Sequence, residues 1–217
     1  SNNGLGDAEI DFLSKSRCLP NLDKLFLNHN KISDAGAKAL AESRFVQNVS
    51  YLMLEANQIG MNGVKSFATS LNLKNLETLF LDSNPIGPEG AEALAKSKYL
   101  PSLSALHMDS TGIGDQGVKA IATSQTLTKL KKLYLCSNKI GDEGAIALSQ
   151  SPNLSHLNCL SIWRNEIRDA GGRAIAESNY FLKLERLYMS LNLIDKPTRR
   201  IIRSSDLASR LKTLVMD

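Results

Sequence analysis

"NKIGDEGAIALSQS", residues 138–151, carries two glycines three apart where a helix would begin, and so invites reading as a phosphate-cradling loop. The same phrase stands as "NKISDAGAKALAES" at 30–43 and as "NPIGPEGAEALAKS" at 84–97. A phosphate loop is used once in a fold, whereas a phrase that returns is a building unit. Aligned on its first residue, the chain places Asn30, Asn57, Asn84, Asn138, Asn165 and Asn192 on a step of 27 residues, with Thr111 filling the one gap and no unit carrying an insertion.

The same step links a longer pattern, L-x-x-L-x-L-x-x-N-x-I. It appears as Leu22, Leu25, Leu27, Asn30 and Ile32, and again as Leu130, Leu133, Leu135, Asn138 and Ile140. The L-x-L alternation has the period of a strand, and G-A-x-A-L-A, as at Gly36 to Ala41, reads as a helix entered through an Asp, Ser or Gly cap. Neither element can bury its apolar face alone, so the units must stack, with a parallel sheet on the inside of an arc and helices outside. The expected fold is an α/β solenoid of about seven to eight units, residues 1–217 forming one domain. Gly36, Gly63, Gly90, Gly117, Gly144 and Gly171 share one position of the first helical turn, where the missing Cβ permits close packing. Ala39, Ser66, Ala93, Ala120, Ala147 and Ala174 are small at another, which suits crowded neighbouring helices. The asparagines are expected to form a buried ladder that satisfies backbone groups of adjacent turns; Thr111 can supply only part of it.

These residues resemble the ribonuclease-inhibitor-like class of leucine-rich repeats, and "GAKALA" and "GAEALA" are similar to the GALA-type repeats of bacterial effector proteins delivered into host cells. The resemblance implies a horseshoe solenoid with concave β-sheet and convex α-helices. It names no single activity, because the class includes inhibitors, receptor sensor domains, ubiquitin-ligase adaptors and a GTPase activator. Equal unit lengths and few cysteines depart from ribonuclease inhibitor itself, so that target is not carried over.

Composition is globular, 42% hydrophobic and 22% charged, and a net charge of +4 spread without long basic runs argues against a dedicated nucleic-acid or membrane surface. No apolar run approaches the about 18 residues of a membrane span. Cys18, Cys136 and Cys159 are odd in number and lack C-x-x-C spacing, which points to reduced thiols and a cytoplasmic setting, including a host cytosol if the domain is delivered there. Cys136 and Cys159, on adjacent strands but offset along them by about 14 Å, are too far apart for a disulfide. His29, His107 and His156 meet no cysteine at zinc spacing. Both ends look cut: Asn3, Leu5 and Leu13 repeat the spacing of Asn30, Ile32 and Leu40, while Leu211, Leu214 and Met216 start a further unit. A fragment of a longer protein is therefore expected, with "DKPTRR" beginning a cap and Ser1-Asn2 a cloning scar.

With leucines in the core, the residues between them face the concave side. One row reads Phe26, Met53, Phe80, His107, Tyr134, Ser161, Tyr188 and Val215; the row two residues on reads Asn28, Glu55, Asp82, Asp109, Cys136, Trp163, Ser190 and Asp217. Six of the twelve aromatic residues, Phe26, Tyr51, Phe80, Tyr134, Trp163 and Tyr188, fall on this face, which a mere scaffold does not require. The bland alternative is that the rings pack against one another along the sheet. Glu55, Asp82 and Asp109, on successive strands about 4.8 Å apart, read as an open, wet, self-repelling row that complements a basic partner, against a metal or acid–base site or an idle solvated row. Lys132, Arg164 and Arg186 change the sign of the later units, and three acids beside the rings would repel nucleic-acid phosphates. The resulting expectation is a monomeric, non-enzymatic module that holds a folded protein on its concave face, with no cofactor, metal, nucleic acid or membrane. The rival is a GTPase-activating or other enzyme-regulating protein acting through Arg164 or Arg168 in "WRNEIRDAGG".

Overall fold

The computed structural model describes residues 3–16 and 21–217; Cys18 and the Ser1-Asn2 pair lie outside them. Helices and strands alternate along the chain as far as the seventh strand, which two helices follow. They run α1 (Asp7–Ser14), β1 (Lys24–Phe26), α2 (Asp34–Glu42), β2 (Tyr51–Met53), α3 (Met61–Ala68), β3 (Thr78–Phe80), α4 (Gly87–Ala95), β4 (Ala105–His107) and α5 (Gly114–Ala122). There follow β5 (Lys132–Tyr134), α6 (Asp142–Ser149), β6 (Cys159–Ser161), α7 (Asp169–Ala176), β7 (Arg186–Tyr188), α8 (Lys196–Arg203), α9 (Asp206–Arg210) and β8 (Thr213–Val215). The strands form one parallel sheet in sequence order, β1 to β8. Its register keeps the 27-residue step throughout, so that Leu25, Leu52, Leu79, Leu106, Leu133, Leu160, Leu187 and Leu214 lie side by side. From Leu52 to Leu187 these leucines are fully buried, and they meet helix residues Leu40, Phe67, Leu94, Ile121, Leu148 and Ile175, also fully buried. Burying one such side chain is worth about 1.5–3 kcal/mol.

Three polar ladders stitch the coils together. In the first, Asn57 donates to Leu27 O at 3.0 Å and Leu54 O at 2.8 Å and accepts from Ile32 N at 3.0 Å, so one amide serves two coils. Asn84 and Asn165 repeat the pattern. The Thr111 hydroxyl donates to Met108 O at 2.7 Å within its own coil but does not reach the coil before, where Ile86 N turns instead to Asn84 O and Gly87 N to the Thr111 backbone carbonyl. Asn138 compensates on the other side, its Oδ1 accepting from the Thr111 N–H, the Gly112 N–H and the Thr111 hydroxyl.

The second ladder explains the opening phrase. Asp115, in the first turn of α5, accepts from Gly141 N at 2.7 Å and Gly144 N at 2.9 Å and so caps the helix of the following unit. Asp7, Asp34 and Asp142 do the same for α2, α3 and α7. A Cβ on Gly144 would lie 2.6 Å from Asp115 Oδ1 and 2.7 Å from Ile140 Cγ2, so the glycine makes room for the carboxylate as well as for the neighbouring helix. Where Met61 and Pro88 replace the aspartate, α4 and α5 begin one residue earlier, through Gly87 at φ +67° and Gly114 at φ +55°. Helix extension there supplies what the missing acid would have: Gly117 N bonds to Ile113 O. The third ladder is serine. Ser43, Ser70, Ser97, Ser124, Ser151 and Ser178 each donate to a carbonyl at the end of the preceding helix at 2.5–2.7 Å. The recurrence of these serines at the end of each phrase is plain in the sequence; their role was not.

At the C-terminal end, "DKPTRR" forms the start of α8, with the Asp195 carboxylate accepting from Thr198 N at 2.7 Å and Thr198, in the glycine position, fully buried. Arg203 donates to Met216 O at 2.8 Å, and Arg199 donates to Asp217 O.

Replacing Asn138 by Ala removes acceptors and donors from two coils, and the cost expected is about 1–3 kcal/mol. Asp115→Ala, which strips two partly buried N–H groups at a helix start, is expected to cost about 1 kcal/mol. Urea unfolding measures both, and an Asn138→Ala midpoint equal to wild type would remove the buried-ladder account.

Candidate functional site

Strands β2 to β7 bury the middle leucine fully and β1 and β8 in part, and each turns its two flanking residues to the concave face. Tyr51, Lys132 and Arg186 belong to the entering row, with Thr78, Ala105 and Cys159 between them. Phe26, Met53, Phe80, His107, Tyr134, Ser161 and Tyr188 form the leaving row. Glu55, Asp82, Asp109 and Trp163 follow two residues beyond it, outside the strands proper. Arg164 is not on the strand face: it occupies the turn after β6 at φ +55°, one of a row with His29, Ala56, Ser83, Ser110, Ser137 and Leu191 that all take the left-handed conformation. None of the seven is glycine or asparagine, the residues that ordinarily announce that conformation, so only their common place in the repeat could have signalled it.

The rings form a continuous ladder across the first five strands. Centroid separations are 5.5 Å for Phe26–Tyr51, 5.1 Å for Tyr51–Phe80, 3.9 Å for Phe80–His107 and 4.1 Å for His107–Tyr134, the last two stacked. Such pairs add about 0.5–1.5 kcal/mol each beyond burial. The packing alternative therefore describes these five rings, which support the sheet and present its face at once. Burial, helped by the charge of Lys132, pushes the His107 imidazole down to about 4, so at neutral pH it is a neutral ring among rings. Trp163 stands outside the ladder and is 38% exposed, while Phe26 at its start is 47% exposed.

The acidic row differs from the open, wet row expected. Asp82 and Asp109 are half-buried. Leu81 O, which parallel pairing would offer to the Asp109 N–H, is occupied by the Asn84 amide, and Asp109 N donates instead to Asp82 Oδ1 at 2.7 Å. Met108 O is likewise taken by Thr111 and Asn138, and Cys136 N donates to Asp109 Oδ1 at 2.6 Å. The asparagine ladder thus leaves N–H groups at the sheet's exit, and two carboxylates answer them. Burial raises Asp82 to about 7, the Asp109 and Glu55 charges adding to the rise against the hydrogen bond from Asp109 N. Asp109 is raised by burial as well. Near neutrality the row carries less than three full charges, which relieves the repulsion anticipated from spacing alone. Glu55 lies 3.6 Å from the His29 imidazole.

In the later units the face changes character. Strand β6 is buried along its length, with small Cys159 and Ser161 lying between Tyr134 on one side and Tyr188 on the other. The Cys159 thiol donates to the Tyr134 hydroxyl at 3.5 Å, and Cys136 Sγ lies 3.0 Å from Ser161 Oγ. Burial raises the Tyr134 phenol and pushes the Cys136 thiol up to about 11, so Cys136 is a protonated filler rather than a nucleophile. Both described cysteines are free. Lys132 is exposed and Arg186 half-buried, with Arg186 Nε shut off from solvent and lacking an acceptor. Among the described residues no group of three or more His, Cys, Asp and Glu is placed to hold a metal, and no described helix is long and apolar enough to cross a membrane.

The family profile described as Leucine Rich repeat matches residues 18–41, 72–95, 99–122, 126–149 and 153–176, more than half of the chain. The units at 45–68 and 180–203 fall between or after these matches yet keep the same sheet register. Comparison with curated proteins finds no match.

Because the folded protein binds the Asp82 proton more tightly than the unfolded chain, whose carboxyl titrates near 3.8, the stability this group contributes should be fully present below pH 3.8 and be lost progressively above it. It should fall as pH rises through about 7. Asp82→Asn keeps an acceptor for Asp109 N and is expected to flatten that slope and to raise the melting temperature at pH 8. Thermal melts between pH 5 and pH 8 test this; parallel curves for the two proteins would place the titration elsewhere.

Proposed function

The chain belongs to the leucine-rich repeat family, whose domains commonly serve as protein–protein interaction modules, and from that premise we propose that it is a non-enzymatic recognition module that grips a folded protein on its concave face. The observation that carries the reading is the aromatic ladder on one side of an eight-stranded sheet, with exposed Trp163 standing apart from it beyond the sixth strand. Aromatic side chains and arginine are the usual energetic anchors of protein interfaces. The ladder rings, Tyr188 and Arg186 are held on strands, so little conformational freedom is lost on binding. Glu55, Asp82 and Asp109 in the middle units and Lys132 and Arg186 in the later ones give the face two signs, with Arg164 adding positive charge from the turn after β6, which orients a partner. The likeness of "GAKALA" to GALA-type repeats supports placing the domain among bacterial effectors that capture a host protein or regulate another effector in the host cytosol. The exposed Arg164 beside Trp163 keeps an enzyme-regulating role, such as GTPase activation, as the second reading.

Pull-down from host and bacterial lysates, followed by affinity measurement on the captured protein, is the experiment. Trp163→Ala is expected to weaken binding by about 2 kcal/mol without lowering the melting temperature. Binding untouched by this change and by Tyr134→Ala, but lost with Lys119→Glu and Arg173→Glu on the helical side, would place the interface on the convex face. Faster GTP turnover by a captured GTPase, abolished by Arg164→Ala, would favour the second reading.

A further inference from the structure

Arg186 and Lys132 are the two cations of the entering row that flank Cys159, on strands two apart and so about 9.6 Å from backbone to backbone. Between them the floor is low, because Cys159 and Ser161 are small and buried. The sides are the rings of Tyr134 and Tyr188 in the adjacent row. The Arg186 charge acts on the Tyr134 phenol across the notch. The ion pairs among the described residues leave out both Lys132 and Arg186, and Glu185, an acid that feels Arg186, is bound to Lys212 at 2.8 Å. Arg186 Nε is in addition a buried donor with no acceptor. Arginine is usually anchored by one or more acceptors when its stem is buried; here the fold holds the stem and leaves the planar donor fork unspent.

Taking the concave face as the recognition surface, we propose that this notch is a receptor for a carboxylate side chain, an Asp or Glu presented by the protein partner. The carboxylate accepts from the Arg186 fork, lies within reach of the Lys132 ammonium, and packs between Tyr134 and Tyr188. A planar two-oxygen anion matches a guanidinium edge, and flanking rings exclude water from the pair, which strengthens it. A partner rich in phosphates is disfavoured by the Glu55, Asp82 and Asp109 row on the same sheet. The partner surface is accordingly acidic opposite the seventh strand and basic opposite the second to fourth.

The test uses the whole domain, isotope-labelled, with the Arg186 Nε–Hε resonance as reporter and a hexaglutamate peptide as probe. Hexaglutamate is expected to move that signal saturably, and hexaglutamine at equal concentration to leave it in place. Arg186→Gln should weaken the hexaglutamate effect on the Cys159 and Tyr188 amide signals at least tenfold. Arg186→Lys, which keeps the charge but lacks the fork, should weaken it severalfold, and serves if the first variant does not fold. A stationary Nε–Hε signal, an equal response to hexaglutamine, or shifts confined to Lys131 and Lys183 at the strand-entry edge would overturn the proposal. So would inorganic phosphate saturating the signal at lower concentration than the peptide, since that marks a phosphate site. If hexaglutamate fails while Trp163→Ala still weakens partner capture, the carboxylate inference alone falls; if the peptide binds but Trp163→Ala has no effect on capture, the concave recognition reading falls instead.

Discussion

Every coil of this protein must turn from strand to helix inside the stack, where water cannot satisfy its backbone. The asparagine ladder is the interaction on which the rest depends, because one planar amide offers two donors and an acceptor in the geometry those turns lack. Asn57 and Asn84 each tie their own turn to the one before, so the spacing of adjacent coils is set by hydrogen-bond length as well as by leucine packing. An unsatisfied buried amide is costly, and a slipped register would leave several. The strict 27-residue step follows from that penalty.

Since each ladder links only neighbouring coils, a defect stays local. Thr111, Met61 and Pro88 weaken two of the three ladders in the middle of the chain, and the response is confined to the entries of α4 and α5. Pro85 belongs to the same region and has no N–H to give, where Gln58 in the preceding unit donates to Ile32 O. The sheet does not register any of this: β3, β4 and β5 pair in the common step. The scaffold therefore absorbs irregularity on its helical and turn sides and keeps the concave strands in order, which frees the residues facing outward from those strands to vary.

That freedom has limits. The carbonyls claimed by Asn84 and Asn138 leave N–H groups at the exit of the sheet, and Asp82 and Asp109 meet that need before they meet any partner. Likewise Phe80, His107 and Tyr134 stack on one another as well as facing out. Through the middle units the outward-facing side chains also hold the sheet together, while Trp163, Lys132 and Arg186 in the later units make fewer internal commitments. Rigid support beneath and uncommitted groups above is the combination that lets a surface bind without first having to order itself.

The sequence alone determined the repeat, its 27-residue length, the alternation of strand and helix, the leucine core and the buried asparagines, because hydrophobic period and recurrence are properties of the chain itself. It also determined which residues alternate with the leucines within each strand, since the period admits one answer once the leucines are inside, but it placed Arg164 on that face where the structure has it in the turn after β6. What it could not determine was how those residues treat each other. That Asp115 caps the helix of the next unit, that Asp82 is half-buried and holds its proton to about 7, that five rings form one ladder and that Arg186 has an orphaned donor all involve residues of different coils. Spacing along a chain gives the distance between strands, but desolvation and hydrogen-bond choice depend on every neighbour at once, and only the tertiary structure brings those neighbours together.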